Sequence, residues 1–292
     1  MQLSVVIITF NEKANIGRTL ASVQSLVGDS RGEIIVLDCG STDRTVEIAK
    51  SYGAKIFVET WKGYAAQKNS ALEKASGEWI LSLDGDEELD ADLQRAIAEL
   101  LQSLSRLSDL EKKADASSTE GTGASPAVIG ADFDGVYIPR KNEFLGRWIR
   151  HGGFWPDPKL RLFRRGKGEF EDRAVHEDVQ IEGLTRTIQS GALLHHSYPT
   201  ISDYIEHMNR YSSLGAEMVA AKGKVRFSFI NIVARPALTF VYNYFFRLGF
   251  LDGHEGLLLH LYHSVYVSWK YAKAWKVWQY RYGPRVENTP SS

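Results

Sequence analysis

Leu3-Ser4-Val5-Val6-Ile7-Ile8-Thr9-Phe10 is a β-branched apolar run without a charge, the pattern of a strand buried on both faces of a parallel sheet. Between Asn15 and Val27, the residues Ile16, Leu20, Val23 and Val27 recur at helical spacing. Glu33 to Leu37 reads as a second buried strand, with Asp38 at its carboxyl end. Cys39-Gly40-Ser41-Thr42-Asp43 then offers a turn glycine and several N-cap residues for a helix reaching Tyr52. Lys55 to Val58 is a third strand, Ala65 to Ala75 a helix, and Glu78 to Leu83 a fourth strand running into Asp84-Gly85-Asp86. Leu93, Ile97, Leu100 and Leu104 mark a further amphipathic helix. Strand and helix in alternation predict an α/β fold, a mostly parallel sheet flanked by helices, with ligands at the carboxyl ends of the strands.

Outward from this core the pattern changes. Residues 103–127, from Lys112-Lys113 into a Ser/Thr/Gly/Ala stretch, have too little apolar surface to offset their ordering entropy. They read as a helix extension and a flexible insertion. Gly135 to Pro139 and Leu160 to Arg165 are short strands that predict an antiparallel extension of the sheet. Ser202 to Ala221 is a helix, and Arg226 to Lys276 is rich in Phe, Tyr, Trp and Leu. Between Lys222 and Ser292 there are ten Lys/Arg against three Asp/Glu. A basic, aromatic helical tail suits a bilayer interface; a helical subdomain or an oligomer interface is the alternative. The chain therefore divides at residue 200, with the C-terminal helical region at 201–292.

With 292 residues, 43% hydrophobic, 24% charged and a net charge of -1, the chain is globular and unsuited to dedicated nucleic-acid binding. One cysteine, Cys39, excludes an internal disulfide. The first residues have neither the basic start nor the cleavage site of a signal peptide, and no run of 18 apolar residues occurs.

Three strand ends carry groups capable of chemistry. Asp84 and Asp86, one residue apart after a buried strand, can hold a hard divalent cation, Mg²⁺ or Mn²⁺, that also takes phosphate oxygens. Thr9-Phe10-Asn11-Glu12 places hydrogen-bonding side chains at the mouth of the first strand, and neither a dinucleotide glycine motif nor a P-loop follows it. Asp38 is an acceptor at the end of strand two. Each alone is as well explained by a turn or a cap; together they converge on one edge of one sheet. His195-His196 lacks a third ligand at helical spacing and reads as structural.

Ser4 to Glu12, Val36 to Asp43, Gln67-Lys68-Asn69 and Gly77 to Glu87 together resemble family 2 of the glycosyltransferases, inverting enzymes of the GT-A fold. Arg161-Leu162-Phe163-Arg164, Val175-His176-Glu177 and Gly249-Phe250-Leu251-Asp252-Gly253 are similar to a bacterial branch that adds sugars, including β-glucose, to the lipopolysaccharide inner core. The resemblance implies a GT-A domain over 1–200, with a nucleotide-sugar half at 1–102 and an acceptor half at 128–200. Thr9, Asn11, Glu12 and Asp38 would line a nucleotide pocket, for uracil; many members carry a second Asp where this chain has Cys39. Lys68 and Asn69 would approach the diphosphate or the strand-four site, Asp84 the ribose or metal-bound water, and Asp86 the metal itself.

An inverting transfer needs a base for the acceptor hydroxyl. The resemblance implies Glu177, which on a strand would point away from its neighbour Asp178; a structural pair of His176 with Glu177 is the alternative. Trp155 and Arg161 are acceptor-side candidates; a core tryptophan and a solvated strand face explain them equally. The resulting expectation is a metal-dependent transferase moving a sugar from a UDP-sugar to a lipid-linked or cell-envelope glycan, peripheral at the inner face of the cytoplasmic membrane. A sugar nucleotidyltransferase shares the architecture but wants a glycine-rich first loop. A non-catalytic nucleotide- or sugar-binding protein on a decayed transferase fold is the reading from another class.

Overall fold

The computed structural model describes residues 2–28, 31–117, 133–171 and 178–282. The chain divides into two compact units. The first comprises Met1–Lys141, Pro156–Arg173 and Glu177–His196; the second comprises Asn142–Trp155, Ala174–His176 and Ser197–Ser292.

In chain order the elements begin with β1 (Leu3–Thr9), α1 (Ile16–Val27), β2 (Gly32–Asp38), α2 (Thr45–Ser51), β3 (Lys55–Val58) and α3 (Tyr64–Leu72). There follow β4 (Trp79–Asp84), β5 (Glu87–Leu89), α4 (Ala91–Ser117) and β6 (Gly135–Ile138). The short strands β7 (Arg140–Phe144), β8 (Arg147–Trp148), β9 (Lys159–Arg164), β10 (Gly168–Phe170), β11 (Val179–Ile181), β12 (Thr185–Thr187) and β13 (Leu193–Tyr198) lead to the helices α5 (Ile201–Ala221), α6 (Arg235–Val241) and α7 (Gly253–Tyr282).

The first unit is built on a seven-stranded sheet of order β12-β6-β9-β4-β1-β2-β3. Among its strands β9 alone runs against its neighbours, pairing antiparallel with both β4 and β6. This is the expected mostly parallel sheet with its antiparallel extension. Because successive side chains point to opposite faces, Val5 and Ile7 pack with α1 and α4 residues such as Leu20, Val23 and Ile97. Val6 on the other face packs with Ile35, Phe163 and the α3 residues Ala65 and Ala71. The continuous apolar runs of β1, β2 and β4 are thus the signature of burial from both sides. The β1–β2 and β1–β4 registers bring Thr9 level with Asp38 and Ile8 level with Asp84.

Two boundaries differ from expectation. α3 stops at Leu72, not Ala75, because the Lys74 and Ala75 N–H groups reach back three residues, to Ala71 and Leu72 (3.2 and 3.0 Å), and tighten the chain out of the α pattern. Of the insertion at 103–127, α4 takes 103–117; residues 118–127 lie outside the described residues.

The second unit has its own apolar cluster of Phe144, Ile149, Tyr204 and Leu259. Thr200 and Asp203 form a reciprocal capping box that starts α5, and α5 packs along α7. Asp252, 2% exposed, accepts from the Arg150 and His151 N–H groups (3.1 and 2.8 Å) and faces His151 Nδ1 at 3.1 Å. A helical run over 230–246 consists of a π turn (Ile230–Ala234), α6 and a second π turn (Tyr242–Phe246). Among the described residues no helix is long and apolar enough to cross a membrane.

Candidate functional site

The turn after β4 is held from several sides. The Thr19 hydroxyl of α1 donates to the Gly85 carbonyl (2.9 Å), and the His196 N–H donates to the Asp86 carbonyl (3.2 Å). A Cβ on residue 85 would lie 2.9 Å from Glu12 Cγ and 3.3 Å from Thr9 Cγ2, so glycine here serves close packing against the end of β1. β5 continues from the turn and pairs antiparallel with Leu193 to His195 of β13.

Asp84 is gripped by two cations. Lys68 Nζ stands 2.8 Å from Oδ1, and the Arg161 guanidinium donates to Oδ2 over 2.7 Å. The same Arg161 nitrogen donates to Glu87 Oε1 (2.7 Å), and Arg140 adds a 3.1 Å bond to that oxygen. Arg140 is held in turn by Asp157 (2.7 Å). Burial alone would raise the Asp84 pKa, but the Lys68 and Arg161 charges outweigh it and hold the carboxyl well below the usual range. Arg161 is 5% exposed, spent on Asp84 and Glu87, and does not lie on a solvated strand face. Lys68, also 5% exposed, leans on the Phe170 ring with its nitrogen 5.2 Å from the centroid.

Asp86 has a different neighbour, His195. Its Oδ2 lies 3.3 Å from His195 Nε2. Burial would raise the Asp86 pKa, yet the interactions with His195 prevail and lower it. A carboxylate oxygen and an imidazole nitrogen at this separation, both about a fifth to a quarter exposed, suit adjacent positions on one divalent cation. No cluster of three or more His, Cys, Asp or Glu ligands occurs among the described residues. The remaining positions of a cation held here would fall to phosphate oxygens and water, as is usual for Mg²⁺-type sites. The donor set therefore fits a nucleotide-linked cation at Asp86 and His195, while both oxygens of Asp84 are engaged by cationic side chains. The sequence reads His195-His196 as structural; the structure sets His195 beside Asp86 through strand pairing between distant segments.

At the ends of β1 and β2, Thr9 is 3% exposed and its hydroxyl donates to Asp38 Oδ2 (3.1 Å). Asp38 Oδ1 accepts the Gly40 and Ser41 N–H groups (2.9 and 2.8 Å), and Oδ2 also accepts the Ser41 hydroxyl. Four donors fill its lone-pair directions, so Asp38 fixes the turn at Cys39–Ser41, where Gly40 takes φ +91°. Asn11, itself at φ +57°, donates its N–H to Ser41 Oγ and accepts from the Thr42 N–H (both 2.8 Å), tying the two loops together. Glu12 accepts from Asn15 (2.8 Å). Burial, and then the Asp86 charge, push its pKa up to about 7.

Asn69 does not join this group: its amide donates to the Phe170 carbonyl (2.9 Å) and accepts the Phe170 N–H (2.8 Å), clamping α3 to β10. Trp155, in the second unit, is half-buried and meets Trp148 edge-on at 5.1 Å. Glu177 lies outside the described residues. Thr9, Asn11, Glu12, Asp38, Lys68, Asp84 and Asp86 thus gather at or beside the carboxyl ends of β1, β2 and β4, on the edge where an α/β sheet binds ligands.

Residues 4–107, which carry all of these, match the family model Glycosyl transferase family 2. Over its whole length, and over 98% of the relative, the chain is 29% identical to the lipopolysaccharide core biosynthesis glycosyltransferase LpsC of Rhizobium meliloti. An uncharacterized glycosyltransferase of Rickettsia typhi is 29% identical over 88% of this chain and 81% of its own length. Among solved structures, the mannosyltransferase PcManGT of Pyrobaculum calidifontis, in complex with GDP-Man and Mn²⁺, aligns over 94% of this chain and 86% of its own. Its TM-score is 0.54 at 14% identity, a likeness of fold. The fold is thus of the GT-A type.

Proposed function

We propose that the chain is an inverting, metal-dependent glycosyltransferase that moves a sugar from a UDP-sugar to a lipid-linked cell-envelope glycan of the lipopolysaccharide-core type. It would work peripherally at the inner face of the cytoplasmic membrane. The observation that carries this reading is the pairing of Asp86 with His195 beside an Asp84 already neutralised by Lys68 and Arg161. The acceptor class rests on the full-length likeness to LpsC.

In this reading the anomeric carbon gains a bond to the acceptor oxygen as its bond to the diphosphate oxygen breaks, on opposite faces of the sugar. A divalent cation at Asp86 and His195 would supply Lewis-acid stabilisation to the negative charge that builds on the departing diphosphate. Lys68 and Arg161 keep Asp84 ionised and in one orientation at the edge of the donor pocket. Asn11 and Asp38 hold the two loops that would frame the nucleoside. Glu177 takes the acceptor hydroxyl proton, a role that contributes about two to four powers of ten in rate. Trp155 is the candidate platform for an acceptor ring.

The test is titration calorimetry of UDP into the purified chain, with and without Mn²⁺, alongside Asp86→Ala. Binding that needs the metal and disappears in the variant is expected. GDP bound in place of UDP would move the donor class; binding of neither would leave the decayed-fold reading in possession.

A further inference from the structure

The helical run over 230–246 wears its apolar side outward. Phe229, Val233, Leu238, Tyr242 and Phe246 follow one another at steps of four or five residues, and they are 67, 47, 68, 57 and 75% exposed. A step of four drifts around a helix of 3.6 residues per turn. The two π turns, each taking up an extra residue, counter that drift and keep the stripe in line. The opposite side is the one that packs: Pro236 is buried, and the Ile232 carbonyl accepts from Ser268 of α7 (2.9 Å). A surface helix of a water-soluble domain turns its apolar stripe to the core; this one presents it to the outside.

Charge chooses the occupant. From residue 222 to 251 there are five Lys/Arg, namely Lys222, Lys224, Arg226, Arg235 and Arg247, and no Asp or Glu. All five are exposed. An isologous contact between two copies would set these like charges against themselves. Arg235 in mid-helix opposes a spanning segment, and no described helix is long and apolar enough to be one. Arg235, with Ile230, Leu238, Thr239 and Tyr242, lines an open groove of about 420 Å³, a cation set among apolar and aromatic walls. Aromatic rings with flanking cations are the chemistry of the headgroup level of an anionic leaflet.

We infer that the helical face running from Phe229 to Phe246 is a monotopic docking surface, lying in the plane of an anionic bilayer with its aromatic stripe sunk to the acyl boundary. This deepens the peripheral location proposed above and rests on it for its purpose, but on none of the donor chemistry.

The experiment is co-sedimentation of the full chain with phosphatidylcholine vesicles, with and without one third phosphatidylglycerol. Comparison is with Leu238→Glu/Phe246→Glu and, independently, Lys222→Glu/Lys224→Glu/Arg226→Glu. The intact chain should pellet with the anionic vesicles, and both variants should lose at least about tenfold in partition while keeping their melting temperature and UDP titration. A chain that stays in the supernatant, or a stripe variant that pellets like the parent, overturns the inference. So does a concentration-dependent dimer abolished by the stripe variant without any vesicle binding, which would assign the face to a second copy. Vesicle binding without UDP binding would sink the donor reading and leave this one standing.

Discussion

Asp86 Oδ2 lies 3.3 Å from His195 Nε2, joining the turn after β4 to a strand that follows it by more than a hundred residues. If the pair holds the cation, Asp86→Ala and His195→Ala should each weaken Mn²⁺-dependent UDP binding by more than the 10–100-fold that outer-shell partners cost. Metal-free UDP binding should change little. Calorimetry at a series of Mn²⁺ concentrations reads both; a His195→Ala chain with unaltered metal dependence would remove His195 from the site.

Arg161 is the structural counterion of the site. Glu87 is fully buried, and Arg161→Ala leaves it with Arg140 alone while Asp84 keeps only Lys68. Breaking a buried ion pair by removing one partner costs about 3–5 kcal/mol, so urea unfolding should show a loss of that order. Arg161→Lys should recover only part, since one ammonium cannot reproduce the planar fork of the guanidinium. A variant as stable as the parent would mean that the pair contributes nothing net.

Glu12 gives the site a pH signature. Its folded pKa of about 7 stands above the ordinary 4.5, first through burial and then through the Asp86 charge. Between these values the folded chain holds a proton that the unfolded chain has released, so the stability due to Glu12 is full below about pH 4.5 and is lost as pH rises through 7. In metal-free buffer Glu12→Gln should therefore gain on the parent as pH is raised from 5 to about 7.5, with no further gain above. Denaturant midpoints at stepped pH check this; a constant offset across the window would contradict it.

Gly85→Ala tests the close approach at the turn. The added methyl would sit 2.9 Å from Glu12 Cγ and 3.3 Å from Thr9 Cγ2, so the end of β1 must give way. Overpacking of this kind costs about 1–3 kcal/mol. The accompanying shift of Asp86 should weaken UDP binding as well. Thermal denaturation and the UDP titration together separate the two effects.

The parallel half of the fold was legible because β1, β2 and β4 are buried on both faces, which forces uninterrupted apolar runs such as Val5 to Ile8. Their ends were legible too, since Thr9, Asp38 and Asp84 are the residues that break those runs. The inward partners of these groups were not. Arg161 reads as polar on a strand, and only the β4–β9 pairing turns it towards Asp84. His195 comes beside Asp86 through the β5–β13 pairing, which joins segments distant in the chain. Asn69 matches a family motif in sequence, yet its amide is committed to the backbone of Phe170. The basic, aromatic tail was visible as composition, but which side of its helices faces outward depends on packing against α7.

β9, the one strand of the seven-stranded sheet that runs against its neighbours, also sets an order of assembly. Arg161 follows Asp84 by 77 residues. On a ribosome Asp84 and Glu87 therefore emerge first with Lys68, then with Arg140, and last with Arg161. The cluster lacks its shared guanidinium until β9 arrives, adds Arg161 between the two carboxylates and pairs with the edge of β4. Completion of the Asp84–Glu87 cluster is thereby deferred to translation of a distant stretch.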